Sequence, residues 1–164
     1  MLGLISDTHG LLREEAVEAL RGSDLILHAG DVGGPAILAE LRKLAPVVAV
    51  RGNVDTGVWA EALPLTELVS TGSATVYMLH ILQRLDIDPA AAGVHIVVTG
   101  HSHKPGTTLK NGVLYVNPGS AGPRRFELPV TVARVDLQVR PWNVDFIDLE
   151  RSGRYNAGGQ ASKS

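Results

Sequence analysis

The first 53 residues alternate short apolar runs with segments of helical periodicity, and this order constrains the fold more than any other feature. Apolar runs at 2–6, 24–29 and 47–50 predict three buried strands. Between them, 12–20 and 35–45 carry apolar residues at helical spacing. A β-α-β-α-β order favours a parallel sheet with helices packed on it.

The second half predicts a further set of strands, with Lys110-Asn111-Gly112 as a hairpin turn. We therefore expect an α/β fold, a four-layer α/β/β/α sandwich of two mixed β-sheets flanked by helices. Residues 1–151 form the predicted domain, and the tail 152–164, rich in Gly, Ser and Ala, is predicted to be disordered. The predicted strands of this half are 74–79, 94–99, 106–109, 113–116, 130–137 and 144–149.

Composition limits the chemistry and the partners. The chain has no cysteine, so a metal site must use nitrogen and oxygen ligands. A formal net charge of −2 gives no basic excess, which argues against long nucleic acids as partners. The N-terminus lacks the pattern of a signal peptide, and no apolar stretch approaches a membrane span. We expect a cytoplasmic protein without a membrane partner.

Polar residues with metal-ligating side chains follow successive predicted strands. Open α/β sheets bind ligands beyond the carboxyl ends of their strands, so these residues are expected to converge. Two Asp, one Asn and four His without sulfur suit two borderline metals that share a carboxylate. The candidate residues are Asp7, His9, Asp31, Asn53, His80, His101 and His103.

Five ordered segments carry a family resemblance. They are 6–10, 30–32, 52–55, 100–103 and 117–120, and together they span nearly the whole predicted fold. With these segments the sequence resembles the calcineurin-like metallophosphoesterase superfamily. More narrowly, it resembles the small single-domain branch of bacterial and archaeal phosphodiesterases.

The resemblance implies an enzyme with two divalent metal ions. Mn²⁺ is the expected ion, and Fe, Ni, Co and Zn are the alternatives. It implies hydrolysis of a small phosphodiester or nucleotide-like substrate by attack of a metal-bridging hydroxide. Asp31 and Asn53 are also the catalytic residues in this interpretation, while the substrate-binding residues stay unknown. A homodimer is possible on base rates. The implied first metal has Asp7, His9 and His103, the second has Asn53, His80 and His101, and Asp31 bridges them.

Two positions depart from the pattern of the resemblance. Val54 stands where larger members carry a histidine assigned as general acid, so the leaving group needs a proton from water, Asp55 or His9. Ile81 follows His80 where glycine is usual, which predicts a displaced His80 or weaker binding of the second metal.

Several of the polar residues also have interpretations that involve no metal. Asp7 and His9 can be a helix cap and a surface histidine when taken alone. His28 and His95 lie in or beside apolar strands and are predicted to be structural, with His28 able to support Asp31. Arg124 and Arg125 can contact phosphate, but they are not part of the predicted site. Asn117 is predicted to order the site.

A catalytically weak or silent protein-binding scaffold is the alternative function. The small subunit of the eukaryotic retromer complex resembles the same branch and uses the fold chiefly as a scaffold. Every candidate ligand position here keeps a suitable side chain, which favours the enzyme.

Overall fold

The computed structural model describes residues 1–151 and the backbone of 153–155. Among the described residues, no helix is long and apolar enough to cross a membrane. The helices are α1 (Glu14–Leu20), α2 (Pro35–Arg42) and α3 (Val58–Glu61), with a 3₁₀-helix at Leu82–Arg84. The strands are β1 (Leu2–Ile5), β2 (Leu25–His28), β3 (Val47–Ala49), β4 (Thr66–Ser70), β5 (Thr75–Leu79), β6 (Ile96–Val98), β7 (Gly106–Lys110), β8 (Val113–Asn117), β9 (Thr131–Val135), β10 (Val144–Asp148) and β11 (Gly153–Tyr155).

The strands form two mixed sheets. The first sheet has the order β11-β10-β9-β1-β2-β3, in which β1, β2 and β3 are parallel and the other neighbours antiparallel. The second has the order β4-β5-β6-β8-β7, in which β5, β6 and β8 are parallel. The parallel strands thus lie at one side of the first sheet and in the centre of the second, and within each set the carboxyl ends of the strands share one edge.

The two sheets pack face to face over the main core. Leu4 of β1 and Met78 of β5 are fully buried members of this cluster, together with Val98 of β6. On its other face the first sheet packs against α1 and α2 through Leu20 and Leu41. These faces bury the apolar residues that recur along the predicted strands and helices.

The outer face of the second sheet has the thinnest cover. Its small cluster includes Tyr77 and Val97, packs against Leu85 and Tyr115, and contacts no α-helix among the described residues. The segment between β5 and β6 holds the one-turn 3₁₀-helix and then a turn, in which the Ala92 N–H donates to Asp88 O at 3.0 Å. The predicted α/β sandwich of two mixed sheets is confirmed, and its outermost layer is short.

Two strands were not predicted. Thr66–Ser70 forms β4 at the edge of the second sheet, where exposed and half-buried residues alternate and the apolar signal is weak. Gly153–Tyr155 pairs with β10, so the first sheet extends past the predicted boundary at 151. The rest of the predicted tail, 152 and 156–164, lies outside the described residues. The predicted hairpin turn is confirmed, with positive φ at Asn111 and Gly112.

Leu4 is the residue through which the stability of the two-sheet core is best tested. It is fully buried and lies opposite Leu27 and Ala133 on the neighbouring strands. We expect Leu4→Ala to lower the free energy of unfolding by about 2–5 kcal/mol, because it removes transfer energy and leaves a cavity. Urea denaturation measures this loss.

Leu109→Ala is the matched control. The Leu109 side chain is 73% exposed, so we expect a change within about 0.5 kcal/mol. Equal losses in the two variants would contradict the assignment of the core to the space between the sheets.

Candidate metal centre

The loops that follow the parallel strands of both sheets meet at one edge of the sandwich. The loops after β1 and β2 continue to pair there through their backbones. The Asp7 N–H donates to Gly30 O at 3.0 Å, and the His9 N–H donates to Asp31 O at 2.9 Å. This pairing places the side chains that follow two different strands beside each other.

The backbone at this edge is held in left-handed conformations. Of the seven non-glycine residues with positive φ in the described part of the chain, five are candidate ligands. Each such conformation costs roughly 1–2 kcal/mol for an L-residue and persists only where the surroundings enforce it. These turns let residues two apart, such as Asp7 and His9, approach the same point. The five are Asp7, His9, Asp31, His101 and His103, with φ between 47° and 66°.

Asp7, His9 and His103 form the first group of ligand atoms. His103 Nε2 lies 3.2 Å from Asp7 Oδ1, and His9 Nε2 lies 3.9 Å from the same oxygen. The two imidazole Nε2 atoms are 3.4 Å apart. Atoms this close around one point can hold a metal ion.

Asp31, His80 and His101 form the second group. His80 Nε2 lies 3.1 Å from Asp31 Oδ2, and the ligand atoms of all three residues lie within 4.8 Å of one another. Asn53 joins them, because its Oδ1 lies 3.0 Å from His101 Nδ1. This group can hold a second ion.

Asp31 is the link between the two groups. Its Oδ2 lies 3.1 Å from His80 Nε2 in the second group and 3.9 Å from His9 Nε2 in the first. The other oxygen, Oδ1, accepts the Val54 N–H at 3.0 Å, which fixes the carboxylate plane. A carboxylate oriented in this way can face two cations at once.

Two buried ligand atoms lack hydrogen-bond partners, which fits a cation. Within the described residues, Asp7 Oδ1 and His80 Nε2 are buried and have no such partner. Unsatisfied buried polar atoms are costly and rare. Asp7 Oδ2, in contrast, accepts from Ser6 Oγ and the His101 N–H. The unpaired atoms are therefore those turned towards the other candidate ligands.

His80 is held in place despite its neighbour Ile81. Its Nδ1 lies 2.7 Å from Ala29 O and donates there, which leaves the Nε2 lone pair for a ligand. Ile81 has φ −108° and ψ 110°, an extended conformation that any residue adopts. The displacement of His80 that the missing glycine predicted does not occur.

The two buried carboxylates attract positive charge to the site. Burial disfavours a charged His80, but the hydrogen bond to Asp31 that Nε2 would form on protonation and the charge of Asp7 raise its pKa overall. Burial likewise opposes ionisation of Asp31, while the interaction with a protonated His80 and the hydrogen bond from Val54 lower its pKa overall. Burial lowers the pKa of His9, against the charges of Asp31 and Asp7. The site thus favours ionised carboxylates next to imidazoles.

Asp55 acts as a structural anchor for two loops. Its buried carboxylate accepts the N–H groups of Gly52, Val32 and Gly33 at 2.9–3.1 Å. These three bonds engage both oxygens of the carboxylate and join the loops after β2 and β3. This engagement argues against Asp55 as the proton donor to the leaving group.

His28 is a buried neutral histidine that joins the loops after β1 and β2. Its Nδ1 accepts the Gly30 N–H at 3.2 Å. Thr8 Oγ1 donates to Val32 O, so it accepts a proton from His28 Nε2 at 2.9 Å. Both ring nitrogens are satisfied only in the Nε2–H tautomer. The structural role predicted for His28 is confirmed, and its contacts are to the residues beside the ligands.

Two glycines are required by close approaches at the site. A Cβ at Gly52 would lie 2.0 Å from Asp31 Oδ1, and a Cβ at Gly100 would lie 2.0 Å from Ser6 Oγ. Contacts this short are forbidden for any side chain. The glycine of each motif thus makes room for the residues that orient the carboxylates.

The other polar residues singled out in the sequence lie around the centre. Asn117 Nδ2 donates to Gly100 O and Ser102 Oγ, in the predicted ordering role. His95 accepts the Thr75 N–H and packs against Trp142, away from the ligands.

The two neighbouring arginines take different positions. Arg124 forms an ion pair of 3.0 Å with Glu150. The charge of Arg125 contributes to lowering the His9 pKa after burial, so this residue lies near the first group.

The sequence did not identify a cleft of about 450 Å³ beside the second group. Arg51 and Arg84 line it together with Asn53 and His80. Arg51 directly precedes the Gly52-Asn53 motif, and this adjacency was the one signal available. Arg84 carried no signal, because only the tertiary structure brings the 3₁₀-helix to this place.

Sequence comparison agrees with the geometry of the site. Residues 1–140 match the calcineurin-like phosphoesterase superfamily domain. A probable metallophosphoesterase of Methanothermobacter thermautotrophicus is 35% identical over 149 residues, which cover 83% of this chain and 86% of that protein. The matched region contains the loops that carry all seven candidate ligands.

Solved structures show the same fold at lower identity. Vps29 from Entamoeba histolytica, complexed with zinc, is 22% identical with a TM-score of 0.76, over 94% of this chain and 95% of that chain. An archaeal phosphodiesterase is 20% identical with a TM-score of 0.75, over 89% of this chain and 99% of that chain. At these identities the likeness concerns the fold.

His28 should make stability depend on pH in the metal-free protein. Burial lowers its pKa from 6.5 to about 4, so below pH 6.5 the unfolded chain binds a proton that the folded chain does not. The His28 contribution is therefore complete above pH 6.5 and is lost as the pH falls towards 4. The loss amounts to roughly 3 kcal/mol.

Urea denaturation of the wild type and of His28→Gln isolates this contribution. We expect the difference in unfolding free energy between the two proteins to shrink by roughly 3 kcal/mol between about pH 7.5 and pH 4. Other titrating groups cancel in the difference. A difference that stays constant over this range would show that His28 is not buried in its neutral form.

Proposed function

The chain belongs to the calcineurin-like phosphoesterase superfamily, and on that premise we propose that it is a phosphodiesterase that uses two divalent metal ions. That the protein is a metal-dependent phosphoesterase follows from the family match and the metallophosphoesterase relative. One observation carries the proposal for this chain: two groups of ligand atoms share the carboxylate of Asp31.

The roles proposed for the residues follow the two groups. Asp31 lies between the two groups and would serve both ions, and Asn53 would complete the second group through its amide oxygen. These two residues are also the proposed catalytic residues, because Asp31 lies between the two groups and Asn53 lines the open cleft. The first ion has Asp7, His9 and His103 as proposed ligands, and the second has Asn53, His80 and His101.

Divalent ions bound here would neutralise charge on the phosphoryl oxygens and lower the pKa of a water molecule for attack on phosphorus. The chain itself provides orientation. The Val54 N–H fixes one oxygen of Asp31, and Ser6 with the His101 N–H fixes one oxygen of Asp7. Held in this way, the carboxylates need little reorganisation during the reaction.

Protonation of the leaving group limits the substrate. Val54 occupies the position implied for a general acid, and its side chain is 52% exposed and carries no proton to donate. Asp55 is engaged by three N–H groups. The leaving oxygen then takes its proton from solvent, which favours phosphodiesters with acidic leaving groups.

The ligand chemistry accepts several metals. Manganese is the proposed ion, with iron, nickel, cobalt and zinc as alternatives, since nitrogen and oxygen donors suit all of them. Zinc is the ion in the complex of the Vps29 neighbour. A small phosphodiester or nucleotide-like substrate, a cytoplasmic location and a homodimer belong to the same proposal.

A protein-binding scaffold is the second candidate function. It is favoured by the thin cover of the second sheet, where Leu68 and Leu82 are 57% and 41% exposed. A scaffold has no need of the unpaired buried atoms of Asp7 and His80, which are costly without a cation. The enzyme therefore accounts for more of the structure.

Asp31→Asn tests the shared carboxylate. We expect a loss of roughly 100-fold or more in kcat/KM for bis(p-nitrophenyl) phosphate with manganese added back to metal-stripped protein. The amide has no negative charge to hold two cations, so bound manganese should also fall. Turnover and metal content are measured on the same samples.

Asp88→Asn is the matched control, because it makes the same chemical change at an exposed turn residue. It should keep both turnover and metal content. If Asp31→Asn retained full turnover with two ions per chain, the shared role of Asp31 would be wrong. Absence of turnover in the wild type with manganese, nickel, cobalt and zinc would favour the scaffold.

Single histidine variants test the division into two groups. We expect His9→Ala and His101→Ala each to lower metal content from about two ions to about one per chain, because each removes a ligand from a different group. Equilibrium dialysis followed by elemental analysis measures this. His95→Ala, whose ring packs on Trp142, should keep both ions. Two ions per chain in either test variant would reassign that histidine.

A further inference from the structure

A cleft beside the second group is lined by residues that include Arg51, Asn53, Leu65, His80, Ile81 and Arg84, and it extends beyond the candidate ligands Asn53 and His80. Its volume of about 450 Å³ is in the range of small-molecule sites. Asn53 and His80 form its inner end, so it opens directly from the second group of ligands. A molecule bound to the centre can therefore extend into it.

The cleft lies to one side of the centre. A phosphoryl group bound by both ions must lie between the two ligand groups, close to Asp31. None of Asp7, His9 and His103 lines the cleft. The part of a substrate that fills it is therefore a substituent of the reacting phosphate and not that phosphate itself.

Two arginines, Arg51 and Arg84, are among the residues that line the cleft. Neither Arg51 nor Arg84 forms a side-chain hydrogen bond or an ion pair with a described residue. Asp86 also lines the cleft, without pairing with either, and the oxygens of Asp55 are engaged by backbone N–H groups. Unpaired arginines with planar donor pairs match phosphate oxygens bidentately.

Apolar side chains line the rest of the cleft. Leu65 is 57% exposed, and Ile81 is half-buried beside His80. Leu79 lies at the same end of β5. A nucleobase or a sugar ring can pack on these apolar side chains, while an anionic group attached to it reaches the arginines.

We infer that this cleft binds a substituent that carries its own phosphate, so that the substrate is a nucleotide-like phosphoester with a second phosphate group. The inference rests on the proposed function for the position of the reacting phosphate. Arg51 and Arg84 are recognition residues for the second phosphate.

Binding of two commercially available nucleotides tests the inference. Isothermal titration calorimetry on the manganese-loaded protein compares adenosine 3′,5′-bisphosphate with adenosine 5′-monophosphate. We expect the bisphosphate to bind about tenfold more tightly or better, since a charged hydrogen-bonded pair of this kind is worth about one factor of ten. In the double variant Arg51→Met and Arg84→Met, this ratio should fall to about one.

Arg42→Met is the matched control, an exposed arginine at the end of α2 and outside the cleft. It should keep the wild-type ratio and the wild-type turnover. Unfolding temperatures of all variants check that they are folded. Equal binding of the two nucleotides by the wild type, or an unchanged ratio in the double variant, would overturn the inference.

Turnover of bis(p-nitrophenyl) phosphate by the wild type reports separately on the proposed function, because this substrate has no second anionic group. A preference for the bisphosphate that the double variant loses supports the cleft even if this turnover is absent. Turnover without any such preference keeps the phosphodiesterase and overturns the second-phosphate site.

Discussion

Burial of two carboxylates side by side is the constraint on which the rest of this structure depends. Asp7 is fully buried and Asp31 is 3% exposed. Isolated buried anions are too costly to persist, so each must be matched by hydrogen-bond donors and positive charge. The structure matches one oxygen of each carboxylate with protein donors and turns the other oxygen towards three imidazoles, those of His9, His80 and His103. That division leaves oxygens and imidazoles in the arrangement that two metal ions would need.

A second tier of buried polar residues keeps this arrangement rigid. His28, Thr8 and Asp55 contact none of the proposed ions, yet they join the three loops after β1, β2 and β3. They also form hydrogen bonds with backbone groups that the left-handed turns leave unpaired. Because each is buried with its hydrogen bonds satisfied, the ligands cannot relax into less strained conformations.

The segment between β5 and β6 connects the fold to the proposed substrate cleft. A longer helix would cover the outer face of the second sheet, but here a single 3₁₀-turn follows His80. That turn brings Arg84 and Ile81 to the rim of a cleft that opens from the metal ligands. The same feature leaves Leu68 exposed, so catalysis and any protein contact would use separate surfaces of one thinly covered sheet.

The sequence alone determined the order of elements, the seven candidate ligands and the edge at which they meet, because strand and helix periodicity and the residues that follow strands are local properties. The edge strand β4 and the strand β11 were not predicted, since partly exposed strands have few apolar residues in their sequence pattern. Only the tertiary structure decided that His80 keeps its place beside Ile81, that Asp55 binds backbone N–H groups, and that Arg84 joins Arg51. Each of these depends on contacts between loops far apart in the chain, whose distances no local pattern encodes.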